Sequence, residues 1–276
     1  MKKDLPDIQK SQESRNIPLK WVGVKDIIMP FALLKKNGGR VPIEAKIKIG
    51  VSLDSKTKGT HMSRLTEILN KYHGNYALNP ISKEGYFGGV HIHKMLEELV
   101  DKLESENAYC KMNFKYFVEK KSPVSEQKGI MDYDCSFEGY IVDGQYEFFI
   151  TVKAPIMTVC PCSKEISESG AHNQRGYAKI KVKSPESDFV WIEDLIDLVA
   201  SQGSCDIYPL LKRNDEKWVT EHSYDNPKFV EDVVRDIAVA LKRINIEEYE
   251  IEVETIESIH NHQAFAFTDW TMVNNL

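Results

Sequence analysis

Between Val41 and Leu53 apolar side chains fall at every second position (Val41, Ile43, Ala45, Ile47, Ile49, Val51, Leu53), with mostly polar residues between them. A strict period of two marks a strand with one buried face. Another strand, around Trp21 to Phe31, precedes it. After the break at Gly59 and Thr60 the period changes: Met62, Leu65, Ile68 and Leu69 follow helical spacing, as do Met95, Leu96, Leu99, Val100 and Leu103. Phe114, Tyr116 and Val118 then alternate with Lys115 and Glu119, and a further strand runs through Ser136 to Ile141.

The second half repeats this order. Phe148 to Val152 and Ala178 to Val182 read as strands, and Ile192, Leu195, Ile196 and Val199 mark a helix. A second helix is expected behind Asn226 as N-cap and Pro227 at its first position, with Phe229, Val233, Ile237 and Leu241 on one face and an end near Asn245. Tyr249, Ile251, Val253 and Thr255 alternate with Glu248, Glu250, Glu252 and Glu254, a strand with one wet face, and His262 to Trp270 reads as the last strand. Strand, strand, helix, helix, strand, strand, met twice, predicts an α+β protein of tandem modules with antiparallel sheets. The expected division is a mobile polar arm over 1–16, a first module over 17–143 and a second over 144–276, packed against the first. Neither half carries a glycine-rich phosphate loop.

Composition narrows the class. No apolar run approaches the roughly 20 residues of a membrane helix. The start has Lys2 and Lys3 without an apolar stretch behind them, unlike a secretory signal. Five cysteines at irregular spacing favour reduced thiols and predict a cytoplasmic protein. A net charge of −6 offers no general attraction for nucleic acid, so a polyanionic ligand must meet a local basic cluster.

The candidate chemistry is a scattered set of metal ligands. Cys160 and Cys162 flank Pro161, His172 follows, and Glu257, His260 and His262 answer about a hundred residues later. The first cluster is too small to saturate a metal, so a distant group completes it or the ion keeps the open position that catalysis requires. Cys160, at a strand end before a loop rich in Ser and Gly, is the stronger thiol ligand. His260 and His262, two apart on an alternating strand, are expected to share a face, one binding metal while the other moves protons. Glu216 and Glu221 are both candidates for a carboxylate ligand. Glu257 breaks the glutamate alternation and suits a planar pair of N–H donors. Arg64, Lys164, Arg175, Lys212 and Arg213 are the basic residues expected near phosphate.

Six segments in order carry a resemblance: GTHMSR (59–64), CPCSK (160–164), HNQRG (172–176), YPLLKRNDEKWVTE (208–221), NPKFVEDVVRD (226–236) and ESIHNH (257–262). In them the chain resembles the type IB GTP cyclohydrolases over nearly its whole length. The resemblance implies tandem tunnelling-fold modules that close barrels in a homotetramer, with active sites at subunit interfaces. It implies hydrolysis of GTP to formate and 7,8-dihydroneopterin triphosphate, the entry to folate synthesis. One divalent ion (manganese, zinc or iron) held by Cys160, His172 and Glu216 would activate water toward C8 of the purine, with Cys160, His260 and His262 as the catalytic set. Glu257 would hold the guanine edge and the basic residues the triphosphate. No membrane or nucleic-acid partner is implied. The alternatives on this fold are an archaeal-type cyclohydrolase that stops at a cyclic phosphate, a nitrile reductase of the queuosine pathway and a non-catalytic metal- or pterin-binding protein.

Overall fold

The computed structural model describes residues 7–76, 87–184 and 190–274. Among the described residues eight strands lie in chain order in one antiparallel sheet. They are β1 (Leu19–Leu34), β2 (Arg40–Leu53), β3 (Ala108–Lys121), β4 (Lys128–Val142), β5 (Gln145–Val159), β6 (Asn173–Lys183), β7 (Tyr249–Thr255) and β8 (Ala264–Asp269). The helices are α1 (Met62–Tyr76), α2 (Gly89–Leu103), α3 (Pro161–Ile166), α4 (Ile192–Ala200), α5 (Arg213–Asp225), α6 (Val230–Arg243) and α7 (Trp270–Asn274). The chain divides into two compact units, Met1–Phe114 with Ser136–Phe149, and Lys115–Cys135 with Ile150–Leu276. Among the described residues no helix is long and apolar enough to cross a membrane.

In the first unit the alternation of β2 does what its period requires. Ala45, Ile47 and Ile49 are fully buried and pair with Met29, Ile27 and Val24 of β1, while Met112 and Cys110 of β3 lie opposite Ile47 and Ile49. Leu65, Ile68 and Leu69 of α1, with Ile92, Met95, Leu96 and Leu99 of α2, supply the other side of this core. Each such side chain contributes about 1.5–3 kcal/mol on burial. β4 and β5 are joined by Asp143 and Gly144, both with positive φ (51° and 75°), the two-residue turn whose twist matches an antiparallel pair. Within the stretch expected as a mobile arm, Gly59 N donates to Gln9 O, Lys58 N to Ser11 O and Glu13 N to Lys56 O.

In the second unit β6 and β7 pair Ala178 with Val253 and Ile180 with Ile251 on the buried face. The other face carries Lys153–Glu254 and Lys183–Glu248 ion pairs at 2.7 and 2.9 Å, so the predicted glutamate row is the wet one. Val233, Ile237 and Leu241 of α6 are fully buried. The start of α6 differs from expectation. It begins at Val230, because Asp232 reaches back to accept from Phe229 N at 2.9 Å, and Phe229 is left exposed. Asn226 instead closes α5, its Nδ2 donating to Gly203 O and Ser204 O.

One buried charge stands out. Asp215, in the first turn of α5, is wholly buried and accepts from Val124 N (2.9 Å), Ser125 N (2.8 Å), Ser125 Oγ (2.5 Å) and Lys212 N (2.8 Å). Burial pushes its pKa up, but these bonds, led by Ser125, outweigh it and hold the carboxyl well below the usual range. A depressed carboxyl stabilises the fold above its unfolded pKa of about 3.9, and that stability is lost as pH falls through the folded value. Asp215→Asn should therefore lower the urea midpoint at pH 7, and the gap from the unsubstituted protein should shrink progressively below about pH 4. Urea titrations at pH 7, 4 and 3 measure this; a gap independent of pH would refute it.

Candidate active site

Antiparallel strands in chain order bring alternate termini to one end of a sheet. In the second unit the ends of β5 and β7 and the starts of β6 and β8 therefore lie together, and the 160–172 and 256–263 connections meet there. These carry Cys160, Cys162, Lys164, His172, Glu257, His260 and His262 of the sequence-predicted residues.

Cys160 leaves β5 in an extended conformation and caps α3, with Pro161 at the first helical position and the thiol Sγ accepting from Ser163 N at 3.4 Å. Ser163 also clasps the loop. Its Oγ donates to Cys160 O (3.2 Å) and accepts from His172 N (3.1 Å), while Cys160 N donates to His172 O (3.0 Å). Cys160 and His172 are thus tied backbone to backbone. Cys162 is exposed on α3. All five cysteines are unpaired. Burial pushes up the thiol pKa values of Cys110 and Cys135, and burial with the neighbouring Asp206 takes Cys205 to about 11, so these three stay protonated.

Glu257 sits just past β7, half-buried, with Oε1 accepting from Thr255 Oγ1 at 2.7 Å. Thr255 is 1% exposed and lies opposite Gly176, where any Cβ would come within 2.7 Å of Glu254 O and 3.0 Å of the Thr255 methyl; only glycine admits this packing. His260 and His262 are not in a strand, contrary to expectation. β7 stops at Thr255 and the 256–263 segment is a bent loop, because cross-strand pairing with β8 ends at the Thr255–Ala264 pair. The two imidazoles nevertheless share a space, stacked at 4.9 Å with an interplanar angle of 12°.

The remaining candidates are dispersed. Glu216 lies exposed in the first turn of α5 beside Lys212 and Arg213. Glu221 is engaged, both oxygens 2.6 Å from Lys217 Nζ. Lys164 Nζ donates to Tyr224 O and sits 4.3 Å over the Tyr224 ring, and Arg175 lies 6.0 Å from the Tyr177 ring centre. Arg64 belongs to the first unit. There its Nη1 donates to Lys102 O at 3.1 Å near the C-terminal end of α2, beside a cleft of about 600 Å³ that His61 and Thr60 also line. Among the described residues no three His, Cys, Asp or Glu side chains gather closely enough to hold a metal ion. Sequence reasoning took Gln174 only as a sign of a ligand-facing loop at His172 and gave no supporting part to Ser163, Thr158 or Thr255. Gln174, Thr158 and Thr255 had a signal: each is a polar residue at the end of an inward-facing apolar row.

The family described as type I GTP cyclohydrolase FolE2 matches residues 5–266. The GTP cyclohydrolase FolE2 of Azoarcus sp. (strain BH72) is 46% identical over 267 residues, covering 96% of this chain and 94% of that protein. That of Syntrophus aciditrophicus (strain SB) is 44% identical over 264 residues, covering 95% and 98%. Among solved structures, uricase from Arthrobacter globiformis aligns with a TM-score of 0.52 at 4% identity, over 90% of this chain and 93% of that one. Uricase from Bacillus fastidious aligns at 0.52 and 10% identity, over 90% and 92%. At such identity these structures carry the fold alone, the tunnelling fold of urate oxidases.

The Ser163 clasp makes its own prediction. In Ser163→Ala the His172 amide loses its acceptor, so its hydrogen exchange should accelerate by about tenfold or more while amides in β7 keep their protection. Unchanged protection at His172 would show that the clasp does not order the loop.

Proposed function

The chain belongs to the family of type I GTP cyclohydrolases described as FolE2, and from that premise we propose how its residues divide the work of hydrolysing GTP to formate and 7,8-dihydroneopterin triphosphate in folate synthesis. The observation that carries the division is the backbone-clasped pair of Cys160 and His172, at the same end of the sheet as Glu257 and the stacked histidines.

The donor set suits a divalent metal. Cys160 offers a thiol sulfur, His172 an imidazole whose Nδ1 is already engaged by Gln174, leaving Nε2, and Glu216 the third donor. Manganese, zinc and ferrous iron all accept such a set, and when bound the ion supplies Lewis-acid activation of water near neutral pH. Glu257 accepts from the guanine ring N–H and exocyclic amine, its Oε1 steadied by Thr255. His260 and His262, parallel and adjacent, give a proton to the purine ring nitrogen and take one back as the five-membered ring opens. Lys164, Arg175, Lys212 and Arg213 neutralise the triphosphate and orient it.

The same reading makes the enzyme a cytoplasmic homotetramer of tandem modules, 17–143 and 144–276, with sites at subunit interfaces. β8 supports this: an edge strand exposing Phe265 at 74% and Phe267 at 53% is a surface that wants a partner. The five unpaired thiols support the cytoplasm.

Chelation should abolish formate release and added manganese, zinc or ferrous ion should restore it; full turnover by demonstrably metal-free protein would defeat the mechanism. Cys160→Ala should lose metal and activity together, with Cys162→Ala milder, as metal analysis of both proteins would show.

Glu257→Gln keeps the shape but turns one acceptor into a donor against the guanine edge, at a cost of about 1–3 kcal/mol or more. GTP turnover should fall by roughly one to several powers of ten while metal content stays intact. If this variant lost its metal yet bound GTP normally, Glu257 would belong to the metal rather than to the base. Product analysis with GTP also separates this activity from a cyclohydrolase yielding a cyclic phosphate and from a reductase dependent on NADPH.

A further inference from the structure

β5 and β6 present their inward side chains as apolar rows, Ile150, Val152, Ala154 and Ile156 on one and Ala178, Ile180 and Val182 on the other. Each row ends in a polar residue where the strand reaches the candidate site. Thr158 is 1% exposed and Gln174 9%. An amide and a hydroxyl sunk at the edge of a core are costly when unsatisfied, so their partners define their purpose. Gln174 Nε2 donates to Thr158 Oγ1 at 2.9 Å, and Gln174 Oε1 lies 2.9 Å from His172 Nδ1.

We infer that Gln174, braced by Thr158, is a positioning residue that selects the Nδ1–H tautomer of His172 and so leaves the Nε2 lone pair free for a metal ion. The inference rests on the reading of His172 as a ligand. An amide oxygen only accepts, so in this arrangement Nδ1 carries the ring proton. In the orientation seen, the Gln174 amide nitrogen donates to Thr158 Oγ1, which leaves the amide oxygen facing His172. Were the amide reversed, its nitrogen would face Nδ1, the ring proton would sit on Nε2, and that nitrogen would have no electron pair to give. The backbone of His172 is already fixed on both sides, by Ser163 Oγ on its N–H and by Cys160 N on its carbonyl. The ring torsions are what remain to be set, and Gln174 sets them. A metal-bound histidine ordinarily hands its second N–H to a carboxylate, carbonyl or water, and here a side-chain amide takes that place.

The test compares Zn²⁺ and Mn²⁺ affinity, by equilibrium dialysis of the full chain, in Gln174→Met, Gln174→Glu, Thr158→Val and the unsubstituted protein. Gln174→Met fills the space without an acceptor and should bind about 10–100-fold more weakly. Gln174→Glu still accepts from Nδ1–H and should recover affinity to within about tenfold of the unsubstituted protein. Thr158→Val should show a smaller loss in the same direction. Nitrogen NMR of the metal-free, unsubstituted protein reads the tautomer directly, and this measurement does not depend on any variant folding. A His172 ring protonated at Nε2, or a folded Gln174→Met that binds Zn²⁺ as tightly as the unsubstituted protein, overturns the inference. An unsubstituted protein that binds neither ion while showing the Nδ1–H tautomer overturns the metal reading of the site instead, so the two failures are told apart.

Discussion

Asp215 takes a negative charge out of water, and the positions of its four donors decide where α5 can start. Two of those donors, Val124 N and Ser125 N, are backbone groups of the short connection between β3 and β4. In an antiparallel sheet laid out in chain order, the β3–β4 connection lies at the same end as the close of β5, the start of β6 and the close of β7. Tying α5 to that connection therefore delivers the first turn of the helix, with Lys212, Arg213 and Glu216, to the end of the sheet where Cys160, His172 and Glu257 emerge. A helix N-terminus accommodates a carboxylate without help from the rest of the protein. What is specific here is that the carboxylate bonds both its own helix and a distant hairpin, so losing it would release two segments at once. A charge whose partners are this complete is costly to disturb from either side.

Burying one face of a strand fixes the direction of every second side chain, and the site uses that rule at three strand ends. Thr158, Gln174 and Thr255 each occupy the last inward position of an otherwise apolar row. Each also bonds toward a residue with a proposed chemical role: Thr158 through Gln174 to His172, and Thr255 to Glu257. The strand interior is rigid because it is packed, so the side chain that caps a row inherits that rigidity and passes it one hydrogen bond outward. The loops holding Cys160, His172 and Glu257 are thereby ordered by the core.

This also explains what the sequence revealed and what it hid. The rows of β2 and β7 were legible because a period of two survives any tertiary context in which one face is buried, and the faces of α1, α2 and α4 were legible for the same reason with a period of 3.6. The start of α6 was misread because Asn226 followed by Pro227 satisfies the usual grammar of a helix start. The competing signal, Asp232 reaching back to Phe229 N, is equally local and won. The histidine pair was placed in a strand because alternation in the sequence continues past Thr255, while hydrogen-bonded pairing with β8 does not. Among the candidate residues, the sequence pointed to Cys160, His172 and Glu257, which lie at one end of the sheet. It did not expose Ser163, whose part is to join the backbone at Cys160 to the backbone at His172, since nothing in a serine's neighbours reports such a bond.

Two exposed features of the second unit are joined by the chain itself: the loop bearing the stacked histidines, and a last strand with two exposed phenylalanines. The loop that bears His260 and His262 runs directly into that strand, so His262 and Phe265 are three residues apart. In the proposed assembly, any strand that covers the β8 edge must also approach the histidine loop. Covering would exclude water from two imidazoles that stand exposed in the single chain, and exclusion of water is what makes their proton transfers and the charges around them effective. Edge protection and site closure then become a single event: the same contact that removes an aggregation-prone edge would also form the walls of the pocket.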